Sequence, residues 1–143
     1  MYRVEIEIDG QPQGKARPRM SRSGHVYTPQ KTRSYESLIK AACFREMQSH
    51  NLEPTESPVK VSVVAFMEIP KSWSKKKAKS AEYALIHPTA KPDLDNIIKA
   101  ALDGISGPQG IIRDDKQVVS IKAVKTFCHP DRGPVLHVSV SWE

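Results

Sequence analysis

The sequence predicts a mixed α/β (α+β) fold, a small mixed sheet of about four strands with two to three helices, in a single domain over residues 1–143. Three observations support this prediction. A chain of 143 residues can bury about two-thirds of its unfolded surface around one core. The hydrophobic pattern alternates between strand and helix periods, in the order β, α, β, α, α, β, β. No repeat, low-complexity tract or interior linker divides the chain.

The first element is a strand, and a strongly basic segment follows it. Val4, Ile6 and Ile8 alternate with charged residues, which is the pattern of a half-buried strand, and Gly10 ends it. The segment from Gly10 to Tyr35 contains no acid and six basic residues, namely Lys15, Arg17, Arg19, Arg22, Lys31 and Arg33. The other 16 basic residues equal the 16 acids, so this basic arm carries the whole net charge of +6. Such an arm is typical either of phosphate contact or of a solvated surface loop.

A long helix and a central strand come next. After a short ribbon at residues 24–27, a helix is predicted from Thr28 or Thr32 to about His50. Its buried residues should be those at helical spacing, namely Tyr35, Leu38, Ile39 and Ala42. The run from Val59 to Ile69 is nearly continuous in apolar and β-branched residues, which favours a strand in the middle of the sheet.

The second helix is lysine-rich at its start. Ser72 or Ser74 is its expected cap, and its early turns carry Lys75, Lys76, Lys77 and Lys79. Lysines near a helix N-terminus oppose the helix dipole, which hints at another role for them. The inward-facing residues should be Ala78, Ala81 and Leu85. Trp73, beside the lysines, is expected either to pack in the fold or to stack on a base.

A third helix and two strands complete the predicted fold. From Asp95 to about Ile105, one apolar stripe is expected from Ile98, Ala101, Leu102 and Ile105. Lys99 and Asp103 are one turn apart on its flank, so Asp103 is expected to be a surface partner of Lys99. After a turn at residues 107–110, strands are predicted at 118–127 and 135–142, joined as a hairpin through residues 129–134.

The chemically informative segment is Lys91–Lys99, with the sequence K-P-D-L-D-N-I-I-K. Asp93 and Asp95 stand at a predicted helix N-terminus, where backbone amides and the helix dipole favour ionised carboxylates. Magnesium is usually held by one or two carboxylates together with water and substrate phosphate. Asp114 and Asp115 precede the 118–127 strand, at an edge expected to reach the same helix start. Lys99 is suited to orient a carboxylate, contact the scissile phosphate or stabilise a developing oxyanion.

Each of these residues also has a purely structural interpretation. Asp95 can be a helix cap, Asp93 a turn residue, and Asp114 with Asp115 a solvated loop tip. Cys43 and Cys128 lack metal-binding spacing and are expected to be reduced thiols of a cytoplasmic protein. No apolar run is long enough to span a membrane, and the first ten residues do not resemble a secretory signal.

Together these motifs resemble the RusA family of Holliday-junction resolvases, which are small homodimeric endodeoxyribonucleases. The resemblance covers most of the chain. Its motifs are G-x-P-Q-G-K-A-R-P-R at 10–19, V-Y-T-P at 26–29, S-W-S-K-K-K at 72–77, K-P-D-L-D-N-x-x-K at 91–99, A-L-D-G at 101–104 and R-D-D-x-Q-V at 113–118. The resemblance implies three metal-binding acids at Asp93, Asp95 and Asp115 and an active-site lysine at Lys99, with a less secure role for Asp114.

The expected reaction is Mg²⁺-dependent hydrolysis of DNA phosphodiesters, with Mn²⁺ as a substitute metal. The expected partners are four-way DNA junctions, bound by Lys15, Arg17, Arg19, Arg22, Lys75, Lys76 and Lys77. Two opposed nicks need two sites, which a two-fold dimer supplies. The strand Val59–Phe66 and the exposed side of the third helix, with Ile97, are the candidate interfaces. The alternatives are a nuclease acting on other branched or flap DNA, and a non-catalytic junction-binding protein.

Overall fold

The computed structural model describes residues 1–143 and contains one mixed sheet with three helices. The elements, in chain order, are β1 (Tyr2–Asp9), β2 (Arg19–Met20), β3 (Val26–Tyr27), α1 (Gln30–Ser49), β4 (Val59–Met67), α2 (Lys75–Glu82), α3 (Leu94–Ile105), β5 (Val118–Phe127) and β6 (Val135–Trp142). The mixed α/β class and the four-stranded sheet are therefore confirmed. The short strands β2 and β3 form a separate ribbon inside the basic arm.

The four long strands lie in the order β1–β6–β4–β5. Strand β6 is antiparallel to both of its neighbours, whereas β4 and β5 are parallel. The prediction that β5 and β6 form a hairpin is therefore wrong, because β4 lies between them. The parallel pair follows from the connection through α3, since parallel neighbours need a crossover and a helix usually provides it.

The core lies between one face of the sheet and the two longer helices. Along β4 the buried residues alternate with half-exposed ones, so only one face of this strand is fully covered. The prediction that β4 is central is confirmed. The close approach of α1 and α3 depends on Gly104, because a Cβ there would lie only 2.5 Å from Cγ2 of Ile39. Gly104 thus gives the A-L-D-G motif a packing role.

Three side chains predicted to face inward do not. Leu38 is 56% exposed, because the buried face of α1 runs through Tyr35, Ile39 and Ala42 and leaves Leu38 on the solvent side. Leu85 is 73% exposed, because α2 already ends at Glu82. Ile98 is only half-buried, since the covered face of α3 is turned by about one residue.

Of the two candidate interfaces named above, the helix surface with Ile97 is wrong, whereas the surface on β4 stays a prediction. Ile97 is fully buried against the core, so the exposed side of α3 does not contain it. Strand β4 has hydrogen-bonded neighbours on both sides and offers no free edge. The free edge next to it belongs to β5, whose exposed side chains include Val119, Ile121 and Val124.

Both cysteines are free and buried, and burial raises the pKa of Cys43 to about 12. None of the helices combines the length and the apolar character that crossing a membrane would require.

Candidate functional site

The N-terminus of α3 presents two carboxylates that the protein leaves unengaged. Asp93 occupies the cap position with extended backbone (φ −69°, ψ 146°), but its side chain makes no capping hydrogen bond. Asp95 lies in the first helical turn, and both residues are exposed. Neither carboxylate takes part in an ion pair, and neither does Lys99 one turn later. The structural alternative of a capping Asp95 is thus wrong, because the cap position belongs to Asp93, and Asp93 itself makes no capping hydrogen bond.

The basic arm packs directly against these acids. The backbone N–H of Lys15 donates to the carbonyl of Asn96 at 2.9 Å. Gly14 allows this contact, because a Cβ at this position would lie 2.9 Å from Cβ of Asn96 and 3.0 Å from Cβ of Pro92. The arm and the acidic motif, separated by more than 70 residues in the chain, therefore form one surface.

A cavity of about 840 Å³ lies along this surface. Its lining combines one carboxylate with five cationic side chains, namely Asp93 with Lys15, Arg17, Arg19, Lys31 and Lys91. Arg22 lies outside it, in the turn between β2 and β3. An excess of cations around a single acid gives this cavity a positive potential, which is suited to a polyanion.

Lys15 anchors the arm instead of lying free in solvent. Its Nζ forms an ion pair with Asp103 and lies 3.7 Å from Glu36, so it joins the arm to both α3 and α1. The hydrogen bond with Asp103 raises the pKa of Lys15, against the opposing effect of burial. The prediction that Asp103 partners Lys99 is wrong, because the partner of Asp103 is Lys15. Lys40 donates to the Asp103 carbonyl at 2.8 Å and so adds a second contact between α1 and α3 at the same place.

Lys125 is a positioning residue that sequence reasoning missed. Its Nζ donates to the carbonyls of Ala90 and Pro92, at 2.7 and 2.8 Å, and so braces the loop immediately before Asp93. The side chain belongs to β5 and points to the helix-covered face, in register with buried Ala65. The sequence did contain a signal for this role, because a lysine at an inward-facing position of a strand needs polar partners.

The second acid pair lies at the other end of the molecule. Asp114 caps a 3₁₀ turn at residues 115–117 by accepting from the backbone N–H of Lys116 at 2.9 Å. That hydrogen bond is the main reason why the pKa of Asp114 is lowered. Asp115 is exposed and makes no side-chain cap. Asp114 therefore has a defined structural task, whereas Asp115 is free for another one.

Within one chain, Asp115 does not reach Asp93 and Asp95. Strand β5 starts beside the turn that contains Asp115 and runs to Lys125, next to the acidic motif. The seven residue steps from Val118 to Lys125 span about 23 Å in an extended strand. Accordingly, no group of three His, Cys, Asp or Glu side chains is placed to hold one metal ion. The expected convergence of both acid pairs on the helix start is thus not found in a single copy.

Asp93 and Asp95 nevertheless fit a divalent cation. They offer hard oxygen donors at the positive end of a helix, without protein partners to displace. Magnesium commonly takes one or two carboxylates and completes its shell with water and phosphate oxygens. A third protein ligand would have to come from outside this chain.

The lysine cluster of α2 lies at the same end of the sheet as Asp93. The side chain of Ser74 caps α2 by accepting from the backbone N–H of Lys77 at 3.2 Å, as predicted. The Nζ of Lys77 lies 4.0 Å from the centre of the Trp73 ring system, a cation–π geometry. Trp73 in turn makes a T-shaped contact with Phe127, with centroids 5.3 Å apart.

Comparison with known proteins agrees with this geometry. The family model described as "Endodeoxyribonuclease RusA" matches residues 9–140. A protein of Bacillus subtilis (strain 168), "Uncharacterized protein YqaN", is 33% identical over 144 aligned residues, covering 96% of this chain and 97% of that protein. The match spans the basic arm, the acidic motif and the second acid pair. This chain belongs to the RusA endodeoxyribonuclease family.

Proposed function

We propose that the protein resolves Holliday junctions by paired, symmetric nicks, using a divalent metal, Mg²⁺ with Mn²⁺ as a substitute. Family membership implies a Holliday-junction resolvase nuclease. The observation that carries the proposal is the unengaged pair Asp93 and Asp95 at the edge of a cation-lined cavity. A polyanionic backbone lying in that cavity would bring a phosphodiester next to two carboxylates suited to a metal.

The residues have distinct roles in this proposal. Asp93, Asp95 and Asp115 hold the metal, which when bound supplies an activated water and polarises the phosphate. Lys99, exposed and one turn from Asp95, stabilises the negative charge that develops on the phosphate oxygens. Arg17, Arg19 and Arg22, with Lys75, Lys76 and Lys77, contact the DNA backbone. Such contacts orient a duplex without reading its sequence.

The working unit in this proposal is a homodimer, because one copy supplies only part of the metal site. The free edge of β5 is its proposed interface. This ten-residue strand is unpaired on its outer side, and Val119, Ile121 and Val124 on it are 66%, 41% and 43% exposed. Exposed apolar side chains on a long free edge are typical of strands that pair with another chain.

Antiparallel pairing of two β5 edges would complete the site. If Ser120 lies opposite Ser120 of a second copy, Val119 faces Ile121 and Lys122 faces Val118, so no like charges meet. In the same arrangement the turn that contains Asp115 of the second copy lies towards the Lys125 end of β5 in the first copy. The Nζ of Lys125 contacts the carbonyl of Pro92, next to Asp93. Each two-fold dimer would then contain two complete sites, one for each strand to be cut.

The enzymatic proposal is tested by incubating the protein with a synthetic four-way junction, a flap and a linear duplex, with and without Mg²⁺. The expected result is paired nicks at symmetric positions in the junction, only with metal. Asp93→Asn and Asp95→Asn should abolish cleavage and leave junction binding intact. Preferred cutting of the flap would assign the protein to other branched DNA. Binding without any metal-dependent cleavage would make it a non-catalytic junction binder.

The interface is tested by cross-linking. Ser120→Cys should form a disulfide-linked dimer under mild oxidation, since the two sulfurs would face each other across the two-fold axis. Ser49→Cys, exposed at the end of α1, is the matched control and should remain uncross-linked. The native cysteines are buried and should not contribute. A Ser120→Cys variant no more prone to cross-linking than the control would contradict the β5 interface.

A further inference from the structure

A second cavity, of about 490 Å³, lies at the same end of the molecule, and of its lining residues only Lys75 has a role in the proposal above. It is formed where β4 leads into α2 and where the chain crosses from β5 to β6. Its lining includes one aromatic ring, three lysines and two acids, namely Trp73, Lys71, Lys75, Lys79, Glu68 and Glu82. Three cations against two carboxylates leave a nearly neutral cavity with an aromatic wall. This composition favours a flat, uncharged ring over a cluster of phosphates.

Trp73 is held as a platform in this wall. Its edge-to-face contact with Phe127, at 70° between the planes, fixes the ring on the end of β5. The Nζ of Lys77 lies over the ring, and Lys77 is not one of the residues that line the cavity. A tryptophan that served only to pack would be covered, whereas Trp73 is half-buried and opens onto the cavity.

The cavity is close to the proposed cutting site. Phe127, under Trp73, and Lys125 are two residues apart on the same face of β5, about 7 Å along the strand. Lys125 in turn holds the loop that ends at Asp93. A DNA strand positioned on Asp93 and Asp95 would therefore place a neighbouring nucleotide at the mouth of the cavity.

We propose that this cavity binds one unpaired nucleobase of the junction, next to the cleaved phosphate and stacked on Trp73. The inference rests on the proposed function and adds a source of selectivity for branched DNA. A base inside a regular duplex is already stacked and paired, whereas a base at a branch point costs less to expose. The side chains of Lys71, Lys75 and Lys79 at the cavity contact the flanking phosphates. Any base can stack on an aromatic ring, so the site selects for a base that is exposed and does not distinguish which base it is.

The test measures Trp73 fluorescence on binding to a four-way junction without divalent metal, with the linear duplex of the same sequence as control. Wild-type protein should show quenching with the junction and little with the duplex. Trp73→Phe should bind the junction but lose the quenching, which assigns the signal to this ring and not to Trp142. Quenching that is absent, or equal with both DNAs, would overturn the proposal.

A second pair of variants separates stacking from packing. Trp73→Leu keeps an apolar contact with Phe127 but cannot stack, so its junction affinity should fall about tenfold. Trp73→Phe should lose much less, and duplex affinity should change little in either variant. A Trp73→Leu protein that melts normally and binds the junction like the wild type would contradict the proposal. Quenching without cleavage by the wild type would instead reject the nuclease and keep the base site.

Discussion

Replacing Gly14 with Ala tests whether the contact between the basic arm and the acidic motif matters for function. The added Cβ would lie 2.9 Å from Cβ of Asn96 and 3.0 Å from Cβ of Pro92. Since carbon atoms in contact are usually about 3.5–4.0 Å apart, the arm must withdraw by about 0.5–1 Å. The hydrogen bond from Lys15 N–H to the Asn96 carbonyl, now 2.9 Å, would stretch to the limit of a hydrogen bond.

The size of the effect follows from two opposing terms. Overpacking typically costs about 1–3 kcal/mol. Replacing glycine with alanine also reduces the conformational freedom of the unfolded chain, which stabilises the folded protein by about 0.4–1 kcal/mol. We therefore expect a net loss of about 1–2 kcal/mol and a Tm lower by about 3–7 °C. Cleavage should slow by about tenfold to a hundredfold, because the bound phosphate would be displaced from Asp93 and Asp95.

The assay is single-turnover cleavage of a four-way junction at saturating enzyme, with junction binding measured separately. Binding by Gly14→Ala should be nearly unchanged, since every cation of the arm is retained. Ser23→Ala, exposed in the same arm, is the matched control and should cleave at the wild-type rate. If Gly14→Ala melts and cleaves like the wild type, the reasoning that couples the arm to the acidic motif is refuted.

Three further predictions concern packing, capping and bracing. Gly104→Ala should destabilise the wild type by about 1–3 kcal/mol through overlap with Ile39. An Ile39→Ala background should relieve this loss only in part, because Cβ of residue 39 would still lie 2.6 Å from the added Cβ; chemical denaturation of the four proteins checks this. Asp114→Ala should lower the Tm at pH 7 but not near pH 2. The reason is that the folded-state pKa of Asp114 is lowered, so the stabilisation from its carboxylate is lost as the pH falls through that pKa. Asp114→Asn should keep a cap whose contribution does not depend on pH. Lys125→Met removes the brace on the Pro92 carbonyl and should slow single-turnover cleavage more than it weakens junction binding; equal losses in both would contradict a positioning role.

The secondary structure was largely predictable because it depends on local periodicity. The alternation through Val4, Ile6 and Ile8 and the apolar run of β4 predicted their strands within a few residues. The order of strands in the sheet was not predictable in this way. A proline- and glycine-containing link between β5 and β6 is compatible both with a hairpin and with a crossing over β4. Which of these occurs depends on burying β4 on both of its edges, a long-range effect.

Helix faces were predicted less well, because adjacent positions differ by about 100° around the axis. Both Ile97 and Ile98 fit an apolar stripe, and the approach of α1 through Gly104 decides that Ile97 is the buried one. The same limit applies to the site. The acidic pair and the arm were predicted from composition, but the ion pair of Lys15 with Asp103 joins residues 88 positions apart and has no local signal.

The central claim is that each active site joins Asp93 and Asp95 of one copy to Asp115 of the other. The most direct measurement is junction nicking by a mixture of Asp93→Asn and Asp115→Asn proteins, each inactive alone. A mixed dimer would contain one site with both substitutions and one with neither, so the account predicts restored nicking of a single strand. A mixture of Asp93→Asn with Asp95→Asn, in which every site carries one substitution, should stay inactive. If mixed dimers form and the first mixture also stays inactive, the shared site is contradicted.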